Sequence, residues 1–418
     1  MPSPPPGLPA ESRRSPHPFV YTILTVPYGA SGGFVSVALA YLATKHGLTV
    51  QQGAELIAVM YSPQVFKVLW APIADTTLSR RQWYLWATLV NSLGTVLTAA
   101  VPLGLSNFRL IEAIIFVTSI ADSFVGFSVE AMIAHLTPAA DRGRVSGWYQ
   151  AGNLGGAGIG GGLGLWLLNT LPASWETGLI LGGLLLACAL PLRLLPDVPA
   201  DTRTSSVVRE IGNVVWELWL VARTRSGVLC VTLCCVPMCT GAALGVLAQA
   251  EVAAHWGAGP GQVELAQGAL SGISSMIGCV VGGYGCVRLG GRVSYAVTGA
   301  LMAAVTLAMA YLPAIPTTYI AGTLTYALVN GLCYAAFSTF VFEVIGGKLA
   351  ATKYNGFASL SNSPITYMGL VLAAAETRFG PRGMLLTESA AGVLGILVFA
   401  AVDRLWRVKP QAIAGAAA

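Results

Sequence analysis

The feature that most constrains this chain is a series of long apolar runs. An α-helix needs roughly 20 mostly apolar residues to cross about 30 Å of hydrocarbon. Runs of that length lie at 18–44, 51–74, 82–104, 108–136, 145–168, 175–195, 227–254, 263–287, 293–312, 316–346, 353–376 and 383–406. Strands of a membrane barrel would alternate in polarity over roughly 10 residues; these runs are continuous. A soluble fold could not hide them: of 418 residues, 55% are hydrophobic and 10% charged, against about 25% charged in soluble domains. Disorder is excluded as well, because it requires low hydrophobicity and high net charge. The sequence therefore predicts an all-α membrane protein with twelve transmembrane helices.

Charge sets the expected topology, because Lys and Arg concentrate on the cytoplasmic side. One set of loops and ends carries Arg13, Arg14, Arg80, Arg81, Arg142, Arg144, Arg193, Arg203, Arg209, Arg223, Arg225, Arg288, Arg292, Lys348, Lys353, Arg404, Arg407 and Lys409. The opposite set carries only Lys45, Arg109, Arg378 and Arg382. Both termini and the long 196–226 connection are therefore expected in the cytoplasm, and the protein in the inner (plasma) membrane. The net charge of +5 is explained by this bias and does not point to nucleic acid. Residues 1–17, rich in Pro and polar groups, lack the pattern of a cleaved signal and are expected to form a disordered cytoplasmic tail; 407–418 is expected to be a second cytoplasmic tail. The second half of the connection, WELWLVARTR, has the pattern of a surface-lying amphipathic helix.

The sequence repeats itself. Thr22, Val26, Pro27 and Gly47 recur as Thr232, Val236, Pro237 and Gly257; Gly147 and Asn153 recur as Gly356 and Asn362; Glu130 corresponds to Glu343. The offsets stay near 210, which divides the chain into an 18–195 half and a 227–406 half of six spans each. Such parallel repeats are related by an axis along the membrane normal, with the substrate site between them.

Ionisable side chains inside spans mark function by default, since each costs about 2.5–3.5 kcal/mol on insertion scales. Lys67 lies eight residues before Asp75, and Glu130 eight before Pro138. At 1.5 Å per residue both sit about 12 Å from the cytoplasmic end. A Lys67–Glu130 ion pair is therefore expected, either as a fixed brace or as a pair that substrate or a proton breaks. Asp122, near the middle of span four, is either the proton-titrating carboxylate or one held by hydroxyls such as Ser119 and Ser123. Glu343 and His135 read as interfacial. Glu376 and Glu388 read as surface partners of Arg378 and Arg382. Asp75 followed by Arg80 and Arg81 is either a charge latch between the halves or ordinary positive-inside charge; the matching loop has Arg288 and Arg292 but no carboxylate, so a latch would be one-sided. Tyr28, Asn153, Asn330, Tyr334 and Asn362 are candidate cavity residues. The same aromatics could instead face lipid or pack.

Span five carries Gly152, Gly156, Gly160 and Gly164 at small-xxx-small spacing, which lets helices approach closely. The Cys residues at 188, 230, 234, 235, 239, 279, 286 and 333 fall in apolar runs and read as buried thiols behaving as small apolar residues. No catalytic or metal-binding motif occurs, so neither enzyme activity nor a cofactor is expected.

Six plus six spans, a long middle connection and an acidic-then-basic loop after span two resemble the major facilitator superfamily over residues 18–406. That resemblance implies two six-helix bundles. Asp75, Arg80 and Arg81 fit its loop motif loosely, with Ala71 for Gly and Thr76 for Arg. Gly147, Gly156, Gly160 and Gly164 match its span-five antiporter motif, with Gly161 for Pro. Within the superfamily, FKVLWAPIAD (66–75), VPYGASGG (26–33) and RFGPRGMLLTES (378–389) look like the AmpG-type permeases, a group that includes muropeptide permeases and is related to acetyl-CoA transporters. Lys67 lies in the group's Phe-Lys-x-Leu-Trp-x-Pro string, and Glu130 stands where the group tends to carry Asp. The resemblance implies a monomeric, proton-coupled secondary transporter of a small organic solute, such as a muropeptide or siderophore-like metabolite. A drug or metabolite efflux antiporter and a non-transporting receptor are the alternatives.

Overall fold

The computed structural model describes residues 17–39, 50–200, 219–345 and 350–408, with the single positions 42, 48, 212 and 216. Residues 1–16 and 409–418 of the expected tails, Lys45, Lys348 and much of the 196–226 connection lie outside the described residues, while 407 and 408 continue the last helix. Among those described there is no β-strand.

The helices group into twelve passes. In the first half, α1 is Phe19–Leu39. α2 runs Val50–Phe66 and continues through a 3-10 turn at Lys67–Leu69 into Ala71–Thr76. α3 is Arg80–Ala100 and α4 is Phe108–Leu136. α5 is Arg142–Gly158, then a π turn at Ile159–Leu163, then Gly164–Thr170. α6 is Ser174–Leu194.

In the second half, α7 is broken into Arg225–Cys235, Ala242–Leu247 and Ala250–Ala254. α8 runs Pro260–Gln267 and Ala269–Leu289, α9 Gly291–Tyr311 and α10 Pro316–Ile345. α11 (350–379) and α12 (381–408) are parts of Ala350–Val408 separated at Gly380. Among the described residues, seven helical stretches are long and apolar enough to cross a membrane by length and composition, the last of them Ala350–Leu405.

Local sequence explains the joints. Ser79 and Gln82 form a reciprocal capping box that starts α3. Gly380 has φ +70 and precedes Pro381: the left-handed backbone favours Gly, and Pro cannot continue the helix. The sequence predicts one unbroken span at 227–254, but α7 is interrupted after Cys235. Pro237 removes a backbone donor there, and Gly241 adopts φ +71.

The two halves share a packing plan. In the first, α3 lies against α4 and α6, and α2 against α4; in the second, α9 lies against α10 and α12, and α8 against α10. α5 is the hub, packing on α1 within its half and on α8 and α10 across the interface. Its glycines explain this. A Cβ on Gly156 would stand 2.6 Å from Val26 O, and Cβ atoms on Gly152 and Gly160 would collide with the Thr22 and Ala30 backbones. On its other face, a Cβ on Gly147 would come 2.5 Å from Cys279 O and 2.7 Å from Gly283 Cα. The stripe thus serves two neighbours, and a side chain on either face would push backbones apart.

Candidate functional site: a polar seam between two helical bundles

The end of the bundle that holds Asp75, Arg80 and Arg142 is here termed the arginine-rich end. Asp75 closes α2 and is fully buried, as is Arg80 at the start of α3. Their side chains form an ion pair at 3.1 Å, and Arg80 also donates to Ala74 O and Asp75 O. The other Asp75 oxygen reaches the opposite half, accepting from Thr352 N at 2.9 Å and Thr352 Oγ1 at 2.6 Å. Thr352 lies in the first turn of α11, where backbone N–H groups lack intrahelical acceptors and favour negative charge. Arg81 follows half-buried in the first turn of α3.

Deeper in, Glu130 of α4 is 2% exposed. It accepts from Tyr149 OH of α5 at 2.7 Å and from Asn355 Nδ2 of α11 at 2.5 Å. Gln150 of α5 donates to Ser338 Oγ of α10 at 2.6 Å and to Tyr354 OH of α11 at 3.3 Å, and Arg142 donates to Phe342 O at 2.9 Å. Among the described residues, every hydrogen bond joining the two halves belongs to this set, and all of them lie in the arginine-rich half of the molecule.

Lys67 is 7% exposed and sits on the 3-10 turn of α2. The expected ion pair with Glu130 does not form: no Lys67–Glu130 contact falls within 4 Å. The two charges remain close enough to interact, but the ammonium lies over the Tyr28 ring, 5.9 Å from its centroid. Equal depth gave the right neighbourhood; Glu130 is instead turned toward Tyr149 and Asn355. Tyr28 OH donates to Gln64 Oε1 at 3.3 Å, and Gln64 donates in turn to Ser119 O at 3.0 Å.

Asp122 forms a separate centre within the first half, 5% exposed. Ser31 Oγ of α1 and Asn91 Nδ2 of α3 donate to its two oxygens. A cavity of about 10 Å³ adjoins it, lined on its polar side by Ser31, Thr95, Thr98, Thr118 and Ser119. That is about the space one water needs, in a site polar enough to hold it.

The remaining cavity candidates are dispersed. Asn153 donates to Gln150 Oε1 at 3.0 Å, beside the seam. Tyr334 and Asn362 are half-buried on α10 and α11. Asn330 is 8% exposed and packs against the break in α7. Two expectations change. Glu388 is no surface partner of Arg378 or Arg382: it is 5% exposed and accepts from Tyr326 OH at 2.8 Å and Thr240 Oγ1 at 3.1 Å. Arg382 stacks on Tyr311 instead. Cys235 is exposed and Cys239 half-buried, whereas the other six thiols are buried. Reading ionisable groups alone passed over Tyr149, Gln150, Ser338, Thr352, Tyr354 and Asn355. Neutral amides and hydroxyls inside apolar runs were the available signal.

The sequence profile of the Major Facilitator Superfamily matches residues 21–366, and the chain belongs to this superfamily. It is a multi-pass membrane protein of two six-helix bundles. No curated protein sequence matches it. Among solved structures it is similar to the proton:xylose symporter XylE, with TM-score 0.66 and 14% identity over 94% of this chain and 96% of that one. It is similar to FucP in the outward conformation, with TM-score 0.69 and 17% identity over 94% and 99%; a variant of that protein is described as the E. coli fucose:proton symporter. The human organic anion transporter MFSD10 aligns with TM-score 0.68 and 16% identity over 92% and 99%. At these identities the likeness establishes the fold.

Proposed function

We propose that this protein is a monomeric secondary active transporter that moves a small organic solute across the inner membrane by rocking its two halves. The observation that carries this reading is the one-ended seam. A protein held together at both ends would be a static bundle, whereas inter-half bonds that, among the described residues, gather at one end suit a molecule that opens at either end in turn. With the arginine-rich end in the cytoplasm, by the positive-inside rule, the seam closes the inward side of the molecule. The halves 18–195 and 227–406 are the rocking units, joined by the 196–226 linker. Asp75 and Arg80, with Arg81 beside them, are the inner gate.

Lys67 is the solute contact. A buried ammonium held by a ring face is poised to meet an acidic group on the solute, which fits the AmpG-type resemblance and its sugar-peptide substrates. Tyr28, Asn153, Tyr334 and Asn362 supply polar and aromatic wall. Glu130 senses the halves through Asn355, and Asp122, beside its water-sized hydroxyl-lined cavity, carries the coupling proton. Uptake driven this way gains about 2.3 kcal/mol per charge per 100 mV of membrane potential. The test is uptake of a muropeptide panel into proteoliposomes under an imposed proton gradient. Accumulation should collapse with a protonophore; accumulation that survives it rules out proton coupling.

A further inference from the structure

Outside the seam, the second half contains a buried carboxylate that the transport reading does not use. Glu388 of α12 places one oxygen, Oε1, against both Tyr326 OH and Thr240 Oγ1. Its other oxygen, Oε2, is buried with no hydrogen-bond partner. One turn along α10 from Tyr326, Asn330 is also buried, and its Oδ1 has no partner either. The two orphans flank the same dipeptide. Thr240 touches Glu388, and a Cβ built on the adjacent Gly241 would stand 2.7 Å from Asn330 Oδ1. That dipeptide is the point where α7 is interrupted and Gly241 turns through φ +71.

Buried polar atoms are almost always paired, and a buried charge left alone is costlier still. Both orphans here are acceptors. No ion pair reaches Glu388 among the described residues, and the thiol of Cys239 and the phenol of Tyr326 are its titratable neighbours. A proton on Oε2 would neutralise the carboxylate but leave Asn330 Oδ1 unmet. One ligand that is positive, small and oxygen-seeking would satisfy both. A single carboxylate among neutral oxygens matches one positive charge, whereas divalent sites gather several carboxylates. Interrupted helices with unwound backbone are how transporters commonly build alkali-ion sites.

We propose that Glu388, Asn330 and Thr240 form a binding site for one sodium-sized monovalent cation at the break in α7. The occupied site ties α7 to α10 and α12. The inference goes beyond the transport reading, because ion binding is measured with no solute present. Radioactive sodium binding to the purified full-length protein, at mildly alkaline pH with choline as the counter-cation, tests it. Saturable binding of one ion per chain is expected. Glu388→Gln, which keeps the side-chain volume, should weaken it by more than the roughly 10- to 100-fold typical of losing a supporting partner. Asn330→Leu should weaken it less, and Glu376→Gln in the last turn of α11 should leave it unchanged. Monodisperse gel filtration of each variant separates lost binding from lost fold. Absence of saturable sodium binding in the native protein, or binding unchanged in a folded Glu388→Gln, overturns the proposal.

Discussion

Replacing Thr352 by Val tests the inner gate most cleanly. Asp75→Asn looks like the obvious variant, but Asp75 makes two kinds of contact. Its ion pair with Arg80 lies within one half and persists whichever way the molecule opens. Breaking it takes the Asp75 charge away from a buried guanidinium, at up to about 3–5 kcal/mol, and that loss falls on overall stability. The bonds to Asp75 from Thr352 cross between the halves. Val keeps the shape and the backbone N–H of Thr352 and deletes a single 2.6 Å hydroxyl bond to a carboxylate. Bonds to charged groups contribute about 1.5–3 kcal/mol, so the closed-to-open ratio at this end should fall by roughly 10- to 150-fold.

Spin labels at Ala139 and Arg288, which are exposed on opposite halves at the arginine-rich end, would read that ratio as a distance distribution. Cys235, the exposed native thiol, must first be changed to Ser. Thr352→Val should move population from the short to the long distance with little loss of thermal stability. Asp75→Asn should do the same and lower the melting temperature as well. A distance distribution unchanged by Thr352→Val, in protein of native stability, would refute the gate.

Asp122→Asn should abolish gradient-driven accumulation while leaving solute counterflow, because exchange needs no net proton movement; retained accumulation would move the coupling role elsewhere. Lys67→Ala should abolish uptake at unchanged membrane abundance, and full activity would reduce Lys67 to a packing role. Gly147→Leu should hold the arginine-rich end apart, since its side chain would drive into the α8 backbone at Cys279 and Gly283. Overpacking of about 1–3 kcal/mol should lengthen the Ala139–Arg288 distance, and an unchanged distance would mean that α5 and α8 part without cost.

Much of the fold was legible because a membrane simplifies the code. Run length gives the spans, and their six-plus-six grouping gives the two-bundle fold. The breaks were harder. Pro237 and Gly241 were visible in α7, but Pro27, Pro63 and Pro364 sit inside helices that continue past them, so Pro alone does not locate an interruption. Depth along a helix also proved readable: Lys67 and Glu130 are neighbours, as equal distance from the end implies. Azimuth was not. Which way Glu130 turns depends on Tyr149 and Asn355, which lie 19 and 225 residues away. Glu388 went astray for the same reason. Proximity to Arg378 and Arg382 in sequence suggested the surface, but one helical turn carried its side chain inward to Tyr326.

The repeat makes the asymmetry of the gate informative. In the first half, the loop after α2 sends its carboxylate, Asp75, across to α11. In the second half, the corresponding loop after α8 has no acidic residue to send. Arg292 there pairs with Asp403 of α12 at 2.9 Å, and Arg225 joins the same carboxylate at 3.1 Å. Glu343 accepts the Gly291 N–H that opens α9. These pairings stay within one half. The reciprocal crossing is left to Arg142, which donates to a neutral carbonyl, Phe342 O. One arm of the seam is thus anionic and strong, the other a single bond to a carbonyl. On the rocking reading proposed above, the bonds that must break for this end to open are led by those from Thr352 to Asp75, with Glu130–Asn355 next in line. A solute that draws Glu130 away from Asn355 as it meets Lys67 would loosen the inner seam from within, which links occupancy of the site to release of the gate.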